Sequence, residues 1–473
     1  MITRRLFGTS VGASAVVATV AGPTASAQRK PGVDDRTFRW GCATSAYQIE
    51  GAVNEDGRGQ SIWDVFSHTA GKTANGDTGD VACDSYHRYR DDTQLLKSIG
   101  VNSYRFSIAW PRIFPDGRGK PNSKGVDHYN RVVDDLLENG IEPHITLFHW
   151  DLPVALPGGW QSRDTSYAFA EYAGYMAEQL SDRVDHFMTT NEFSSFVEGG
   201  HIGGLHAPGL RLPLAQVRQV GHHAVLAHGL GVQAIRARAK RPVKVGLAEN
   251  AFSPVPVVET PENIAAARTA TRLMNRWYLT AIMEGKYIEE GLSADASRPV
   301  VEAGDMAAIG SPVDFVGLNV YAPTYIRAAP DKPSGYAVVT GPKSHPTMGL
   351  PWLKVGPEAA YWAVRSVSEA WKPKSLFISE NGCPSDDVLV NGQVNDTDRV
   401  MFLRNYVANV VRARKEGYPI DGYFVWSLLD NFEWAEGYTK RFGINYVDFK
   451  TQQRTPKLSA AWLRQLTKDM SKI

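Results

Sequence analysis

The stretch Phe377-Ile378-Ser379-Glu380-Asn381-Gly382 decides the fold of this chain. Its apolar beginning predicts a buried strand, and the carboxylate followed by Asn-Gly predicts that the strand ends abruptly in a turn. A single Glu at a strand end is most often a solvated loop residue. However, a second predicted strand, residues 186–190, runs in the same way into Asn191-Glu192. Two carboxylates at the ends of separate strands are the arrangement that glycoside hydrolysis requires.

Short apolar runs alternate with longer amphipathic ones along the rest of the chain. The helical patterns are clearest at residues 126–137, before Gly140, and at residues 400–411, before Gly417. Eight strand–helix units in one chain predict an α/β fold, a single (β/α)8 TIM barrel with elaborated loops at its C-terminal face. The eight predicted strands are residues 38–42, 103–108, 143–148, 186–190, 243–248, 315–318, 376–379 and 423–426.

The alternative fold is an open doubly wound sheet, which would place a glycine-rich phosphate loop after an early strand. No such loop is present, and the dinucleotide-like spacing at residues 229–234 follows a helical pattern instead of a strand. Polar and aromatic residues follow the predicted strands. Because the C-terminal strand ends of a barrel face one mouth, we expect these side chains to converge there. They are Gln48, Arg105, His149, Trp150, Asn191, Glu192, Asn319, Tyr321, Glu380 and Trp426.

The N-terminus has the features of an export signal. Arg4 and Arg5 precede a charge-free run that closes on Ala25-Ser26-Ala27, so residues 1–27 are predicted to be a cleaved twin-arginine-type signal peptide. A membrane anchor is the alternative, but the run is weakly apolar and Pro23 interrupts it. We therefore expect residues 28–473 to form the catalytic domain, exported to the periplasm or secreted.

Charge and composition exclude several classes of function. Removing the two arginines of residues 1–27 changes the formal charge from +1 to −1 (1 − 2 = −1), which offers no case for a nucleic-acid partner or an anionic membrane. No other apolar run is long enough to span a bilayer. Three cysteines in an exported chain of this size favour free buried thiols over a disulfide scaffold. His222, His223 and His228 lie on one predicted helix, but His222 and His223 face different ways, so we expect no metal site there, and we expect no cofactor.

At this point the residues carry a resemblance to a known family. From residue 38 to residue 466 the chain resembles a glycoside hydrolase family 1 β-glycosidase, of the β-glucosidase type. Seven motifs in order make the resemblance specific. They are FRWGCATSAYQIEG (38–51), YRFSIAWPRI (104–113), TLFHWDLP (146–153), TNE (190–192), GLNVY (317–321), SENG (379–382) and WSLLDNFEWAEGYTKRFGI (426–444).

The resemblance implies a retaining exo-β-glycosidase that acts on terminal β-D-glucosyl residues of a small glycoside or oligosaccharide, with β-galactosyl or β-fucosyl residues as further substrates. Glu380 would be the nucleophile, kept ionised by Arg105 and Tyr321, and Glu192 the acid/base, kept protonated by burial and by the charge of Glu380. Asn191 would hold the sugar 2-hydroxyl. The other implied substrate-binding residues are Gln48, His149, Trp150, Asn319, Trp426 as a stacking floor, Glu433, Trp434 and Phe442.

Departures from the family pattern leave some points open. Phe193 replaces the usual Pro after the acid/base, which frees a backbone dihedral and could reshape the aglycone side; Ser379 and Val320 are the other two differences. A carboxylate at Glu433 would disfavour a 6-phosphorylated sugar. Residues 328–351 are predicted to form a loop at the mouth. A transglycosylase with the same intermediate and a non-catalytic sugar-binding barrel remain the alternative functions.

Overall fold

The computed structural model describes residues 38–290, 292 and 296–468. The predicted signal peptide therefore lies outside the described residues. Within the described ranges, no helix is both long enough and apolar enough to cross a membrane.

Eight parallel strands close into a barrel, which confirms the predicted fold. Each of the eight begins and ends within three residues of a predicted strand. The strand order around the barrel is β1-β11-β10-β7-β5-β4-β3-β2. The strands are β1 (Arg39–Ala43), β2 (Ser103–Ser107), β3 (Glu142–Phe148), β4 (His186–Asn191), β5 (Lys244–Glu249), β6 (Pro254–Pro256), β7 (Phe315–Asn319), β8 (Thr324–Ala328), β9 (Tyr336–Val338), β10 (Leu376–Asn381), β11 (Ile420–Trp426), β12 (Asn445–Val447) and β13 (Arg454–Pro456).

Helices surround the barrel and bury one face against it. In the helix Ser123–Glu138, Val126, Tyr129 and Val133 are buried as the periodicity predicts, and Gly140 follows with φ +75, a left-handed conformation that suits glycine. The helices are α1 (Ala46–Ile49), α2 (Ile62–Ser67), α3 (Ser85–Ile99), α4 (Trp110–Ile113), α5 (Ser123–Glu138), α6 (Asp164–Leu180), α7 (Phe193–His201), α8 (Leu214–Arg238), α9 (Pro261–Met274), α10 (Leu279–Glu284), α11 (Asp305–Ile309), α12 (Glu358–Trp371), α13 (Thr397–Lys415) and α14 (Leu458–Lys468).

Aromatic side chains fill the barrel interior near the N-terminal ends of the strands. The Phe377 ring lies 5.2 Å from the ring of Phe315 and 6.2 Å from that of Phe424, centroid to centroid. All three side chains are buried. Because they occupy the interior near the N-terminal strand ends, the open space of the barrel lies at its C-terminal end.

Elements outside the barrel are where the sequence was less informative. Strands β6, β8 and β9 form a separate sheet, and β12 pairs with β13 in a hairpin. Pro254 and Pro256 bracket β6, and proline disfavours a strand assignment. The segment 328–351 contains β9 in addition to loop, and its Leu350 lines the cleft described below. The three cysteines are free and buried, as expected.

Candidate active site

A cleft of about 830 Å³ opens at the C-terminal end of the barrel. Eleven of the predicted site residues line it, so strands far apart in sequence do converge. Arg105 and Gln48 are fully buried and contact the lining residues from behind. The eleven are His149, Trp150, Asn191, Glu192, Asn319, Tyr321, Glu380, Trp426, Glu433, Trp434 and Phe442.

Glu380, at the end of β10, has a donor for each carboxylate oxygen. Nη1 of Arg105 donates to Oε1 at 2.6 Å, and the Tyr321 hydroxyl donates to Oε2 at 2.8 Å. Burial is the largest influence and leaves the pKa of Glu380 raised, while the Arg105 charge, followed by hydrogen bonds from Arg105 and Tyr321, limits that rise by stabilising the ionised form. The group is therefore a buried carboxylate whose ionised form is supported by one cation and one hydroxyl.

Glu192, directly after β4, has a different environment. Nδ2 of Asn319 donates to its Oε1 at 2.7 Å, and the Ser195 hydroxyl donates to its Oε2 at 2.8 Å. Both donors are neutral, and no ion pair involving Glu192 occurs among the described residues. Burial, followed by the charge of Glu380, raises the pKa of Glu192 to about 7. This carboxyl group can thus hold a proton at neutral pH while Glu380 is supported as an anion.

One hydrogen-bond network joins the two carboxyl groups. Oδ1 of Asn191 accepts from Arg105 Nη2 at 2.6 Å and from Asn319 Nδ2 at 3.0 Å. The Ser379 hydroxyl donates to Oδ1 of Asn319 at 2.7 Å. Since Arg105 also holds Glu380 and Asn319 also holds Glu192, the positions of the two carboxyl groups are fixed relative to each other before any ligand binds.

His149 lines the cleft and is hydrogen-bonded to Asn191. Its Nε2 lies 3.1 Å from Nδ2 of Asn191, which donates to it, so the proton of the neutral ring is on Nδ1. Burial, followed by the Arg105 charge, holds the pKa of His149 well below its usual value. Nδ1 is buried and has no hydrogen-bond partner among the described residues.

Glu433 lies in the cleft with the two catalytic carboxyl groups. Burial, followed by the charges of Glu380 and Glu192, raises the pKa of Glu433 to about 8. Its expected effect on a phosphorylated sugar stays a prediction. Gln48 donates to Glu433 Oε2 at 3.4 Å and to the Phe432 carbonyl at 3.0 Å, so it supports this segment.

An aromatic wall forms one side of the cleft. The Trp426 ring lies 5.7 Å from that of His149 and nearly parallel to it, with an interplanar angle of 19°. The Trp434 ring lies 4.4 Å from that of Trp150, whose Nε1 donates to the Asn191 carbonyl at 2.9 Å. Flat apolar surface of this kind suits the C–H face of a sugar ring.

The sequence interpretation missed three residues behind Glu192. Nδ2 of Asn250 donates to the Ser195 hydroxyl at 3.0 Å, and Glu249 accepts the backbone N–H of Phe193 at 2.9 Å. A proline at position 193 could not make that bond, because it has no N–H. Glu249-Asn250 at the end of β5 repeats the pattern of a strand that ends on Glu-Asn. That signal was available in the sequence.

Comparisons with known proteins agree with this geometry. The family model described as glycosyl hydrolase family 1 matches residues 34–471. Beta-glucosidase A of Thermotoga maritima is 44% identical over 437 residues, which cover 91% of this chain and 97% of that one. The bifunctional beta-D-glucosidase/beta-D-fucosidase of Bifidobacterium breve is 42% identical over 460 residues, with 92% and 98% covered. A solved family 1 β-glucosidase of Thermotoga maritima superposes with a TM-score of 0.84 at 42% identity, covering 93% of this chain and 98% of that one.

Proposed function

Since this chain belongs to glycosyl hydrolase family 1, we propose that it is a retaining β-glucosidase that removes terminal β-D-glucosyl residues from small glycosides. The observation that carries the proposal is the pair Glu192 and Glu380. Both line one cleft, and one is supported as an acid while the other is supported as an anion. The metal-free double displacement of a glycosidase needs that division of roles.

In the first step Glu380 attacks the anomeric carbon, and Glu192 gives its proton to the departing glycosidic oxygen. Arg105 and Tyr321 hold the Glu380 carboxylate in place through one donor on each oxygen. The C–O bond to the aglycone breaks, and a new C–O bond to Glu380 forms with inverted configuration. The Asn191 amide, fixed by its own hydrogen bonds, is placed to bind the sugar 2-hydroxyl as the transition state develops.

In the second step the same groups act in reverse. Once Glu380 is part of an ester, its negative charge is gone, and that charge is the second largest cause of the raised pKa of Glu192. Glu192 therefore releases its proton more readily and acts as a base toward water. Water attacks the anomeric carbon, the ester bond breaks, and the β configuration is restored after two inversions.

Recognition of the sugar rests on the donors and the aromatic wall of the cleft. His149 and Glu433 supply polar groups to the sugar hydroxyls, and Trp426 supplies the apolar floor. We extend the proposal to β-fucosides, because a relative with 42% identity is named as a glucosidase and fucosidase. β-Galactosides are a further proposed substrate class.

The test is a panel of nitrophenyl glycosides with purified residues 28–473. We expect the β-glucoside to be cleaved fastest, the β-fucoside and β-galactoside more slowly, and the α-glucoside not at all. Added EDTA should leave these rates unchanged. Cleavage of the α-glucoside, or a loss of rate in EDTA, would contradict the proposal. Adding an acceptor alcohol and measuring the product ratio separates hydrolysis from transglycosylation.

We also propose that the protein is exported through the twin-arginine route. The support is the sequence of residues 1–27, with Arg4 and Arg5 before a charge-free run. Fusing residues 1–27 to a folded reporter should carry the reporter across the membrane. Replacing both arginines by lysine should hold it in the cytoplasm. Unchanged export of that variant would overturn the twin-arginine assignment.

A further inference from the structure

A second cluster of titratable side chains lies at the other end of the barrel. We call it the basal triad: Glu142, the first residue of β3, His144 on the same strand, and His186, the first residue of β4. His144 and His186 are partners in the parallel register of these two strands. The same strands end at the cleft, at Phe148 and Asn191. At roughly 3.3 Å per residue, the triad is about 15–20 Å from the catalytic groups.

The three side chains are close enough to share one ligand. The imidazole rings stack with centroids 4.4 Å apart and an interplanar angle of 18°. Oε1 of Glu142 lies 2.9 Å from His186 Nδ1 and 3.5 Å from His144 Nε2. One ligand atom from each residue can be chosen so that all lie within 4.8 Å of one another. Two ligands of a tetrahedral zinc ion are about 3.3 Å apart when each is 2.0–2.1 Å from the metal, so the near-parallel rings must rotate for their lone pairs to meet at one ion.

The imidazoles lack the hydrogen bonds that buried histidines ordinarily have. His144 and His186 are almost completely buried, yet none of their four ring nitrogens has a hydrogen-bond partner among the described residues. The short approach of His186 to Glu142 does not have hydrogen-bond geometry. A buried polar group without a partner is destabilising, and each such nitrogen is a site for an additional ligand.

The chemistry of the triad suits a cation. Imidazole nitrogens and a carboxylate oxygen are ligand types that zinc accepts in proteins. Each ligand must be deprotonated to bind, so the affinity of the triad for a metal ion should fall as the pH is lowered.

The surroundings orient the carboxylate and leave a path to solvent. Nε of Arg39 donates to Oε2 of Glu142 at 3.0 Å, which leaves Oε1 toward the imidazoles. A donor on the second oxygen is a common way to orient a metal-binding carboxylate. On the side of the triad that faces the barrel interior, the ring centroid of His144 lies 5.0 Å from that of Phe424, and the ring centroid of His186 lies 5.7 Å from that of Phe315. The Glu142 side chain is 30% exposed, so solvent reaches the open side.

We propose that the basal triad binds one divalent transition-metal ion of the zinc class, through two imidazole nitrogens and Glu142 Oε1, with water as the fourth ligand. Two nitrogen ligands and a single oxygen disfavour calcium and magnesium, which prefer six or more oxygens. The ion would join β3 to β4 at the base of the barrel. Its distance from the cleft makes it a structural ion, separate from the glycosidase chemistry.

The experiment uses the full mature chain after removal of metals by EDTA and exhaustive dialysis. Titration with Zn²⁺ alone, followed by calorimetry, should show one ion per chain, and Tm should rise with the Zn²⁺ concentration. Titration with Co²⁺ alone should give visible ligand-field bands of a site with nitrogen and oxygen ligands. β-Glucosidase kcat/KM should be the same with and without bound Zn²⁺. No stoichiometric binding of either ion would overturn the proposal.

Variants locate the ion. His144→Phe and His186→Phe should abolish the stoichiometric binding. Glu142→Gln should weaken it at least tenfold. Because Glu142 is partly exposed and Gln keeps an acceptor for Arg39, this variant does not alter the buried core. The matched control is His87→Ala, because His87 lies 2.6 Å from Asp84 and 3.0 Å from Glu55 at the surface. Binding that survives in Glu142→Gln but is lost in His87→Ala would place the ion at the surface and overturn the assignment.

Discussion

The two mouths of the barrel are built from the same strands and have opposite chemistry. At the C-terminal mouth, β3 and β4 lead to His149, Asn191 and Glu192, and every oxygen of the two catalytic carboxyl groups accepts a hydrogen bond. At the N-terminal mouth, β3 and β4 begin with Glu142, His144 and His186, and the imidazoles have no hydrogen-bond partner among the described residues.

The difference shows that a buried polar cluster does not reveal its role by residue type alone. Carboxylates and histidines occur at both mouths. At the C-terminal (upper) mouth the network gives each oxygen of the two catalytic carboxyl groups a donor. At the N-terminal (lower) mouth the ring nitrogens of His144 and His186 lack hydrogen-bond partners among the described residues. The upper cluster is thus preorganised for a reaction and the lower one for a bound ion. The following experiments test that division.

The largest effect should come from removing the Glu380 carboxylate at the upper mouth. Glu380→Ala leaves no group to attack the anomeric carbon, so every β-glucoside should lose more than the ~10²–10⁴-fold that general acid/base help supplies. Added azide should enter from the vacated side and give the α-glycosyl azide, identified by NMR. As a control, Glu436→Gln at the exposed rim should cause a far smaller loss. A β-glycosyl azide would mean that the roles of the two glutamates are exchanged.

Removing the acid should have a smaller effect that depends on the leaving group. For Glu192→Ala, alkyl β-glucosides should lose about 10²–10⁴-fold in kcat/KM. A dinitrophenyl glucoside needs little protonation, so its first step should survive as a burst of phenolate in stopped-flow absorbance. Azide should then restore turnover and yield the β-glycosyl azide. Equal losses for alkyl and dinitrophenyl substrates would contradict the assignment of Glu192 as the acid.

The pH profile of kcat/KM should report the Glu192 proton. With a pKa of about 7, activity should fall as the pH rises above that value, because the deprotonated form cannot protonate the leaving group. The Ser195 hydroxyl stabilises the charged form and so lowers this pKa. Ser195→Ala should therefore move the alkaline limb to higher pH, while Ser194→Ala, whose hydroxyl contacts Asn250, should not. Movement of the alkaline limb to lower pH in Ser195→Ala would contradict the inferred effect of the Ser195 hydrogen bond on the pKa of Glu192.

The smallest effect should come from the lower mouth, and it should appear in stability. Because the folded-state pKa of Glu142 is depressed, its contribution is present above the unfolded-state pKa and is lost as the pH falls through the folded-state value. Glu142→Gln should thus make the unfolding free energy, measured with urea in EDTA, depend less on pH on the acid side, with kcat unchanged.

Glu433, at the upper mouth, should show the opposite pH dependence. Because its pKa is raised to about 8, its contribution to stability falls as the pH rises from 4.5 to 8. Glu433→Gln should remove that fall in stability. The same slope of unfolding free energy against pH in Glu142→Gln and in Glu433→Gln would contradict the comparison.

The sequence predicted the barrel well because each strand has a short apolar run and a clear end. It placed both glutamates because Glu380 and Glu192 end such runs, and the family motifs cover their neighbours. The roles of these residues stay predictions until the variants are measured. The sequence did not reveal Ser195 or Glu249, because their importance depends on distances to Glu192. Nor did it reveal the basal triad: 42 residues separate His144 from His186, and only the register of β3 and β4 brings them together.

The bond from the Phe193 N–H to Glu249 has a consequence for the mutational paths open to this protein. Phe193→Pro alone would leave a buried carboxyl oxygen without its donor, at a cost of about 1–3 kcal/mol. Glu249→Leu alone would leave the N–H without an acceptor. The two changes together remove both halves of the bond, so they should cost less than the sum of the single changes. The two positions are thus epistatic although 56 residues separate them, and exchange of one pair for the other passes through a less stable intermediate.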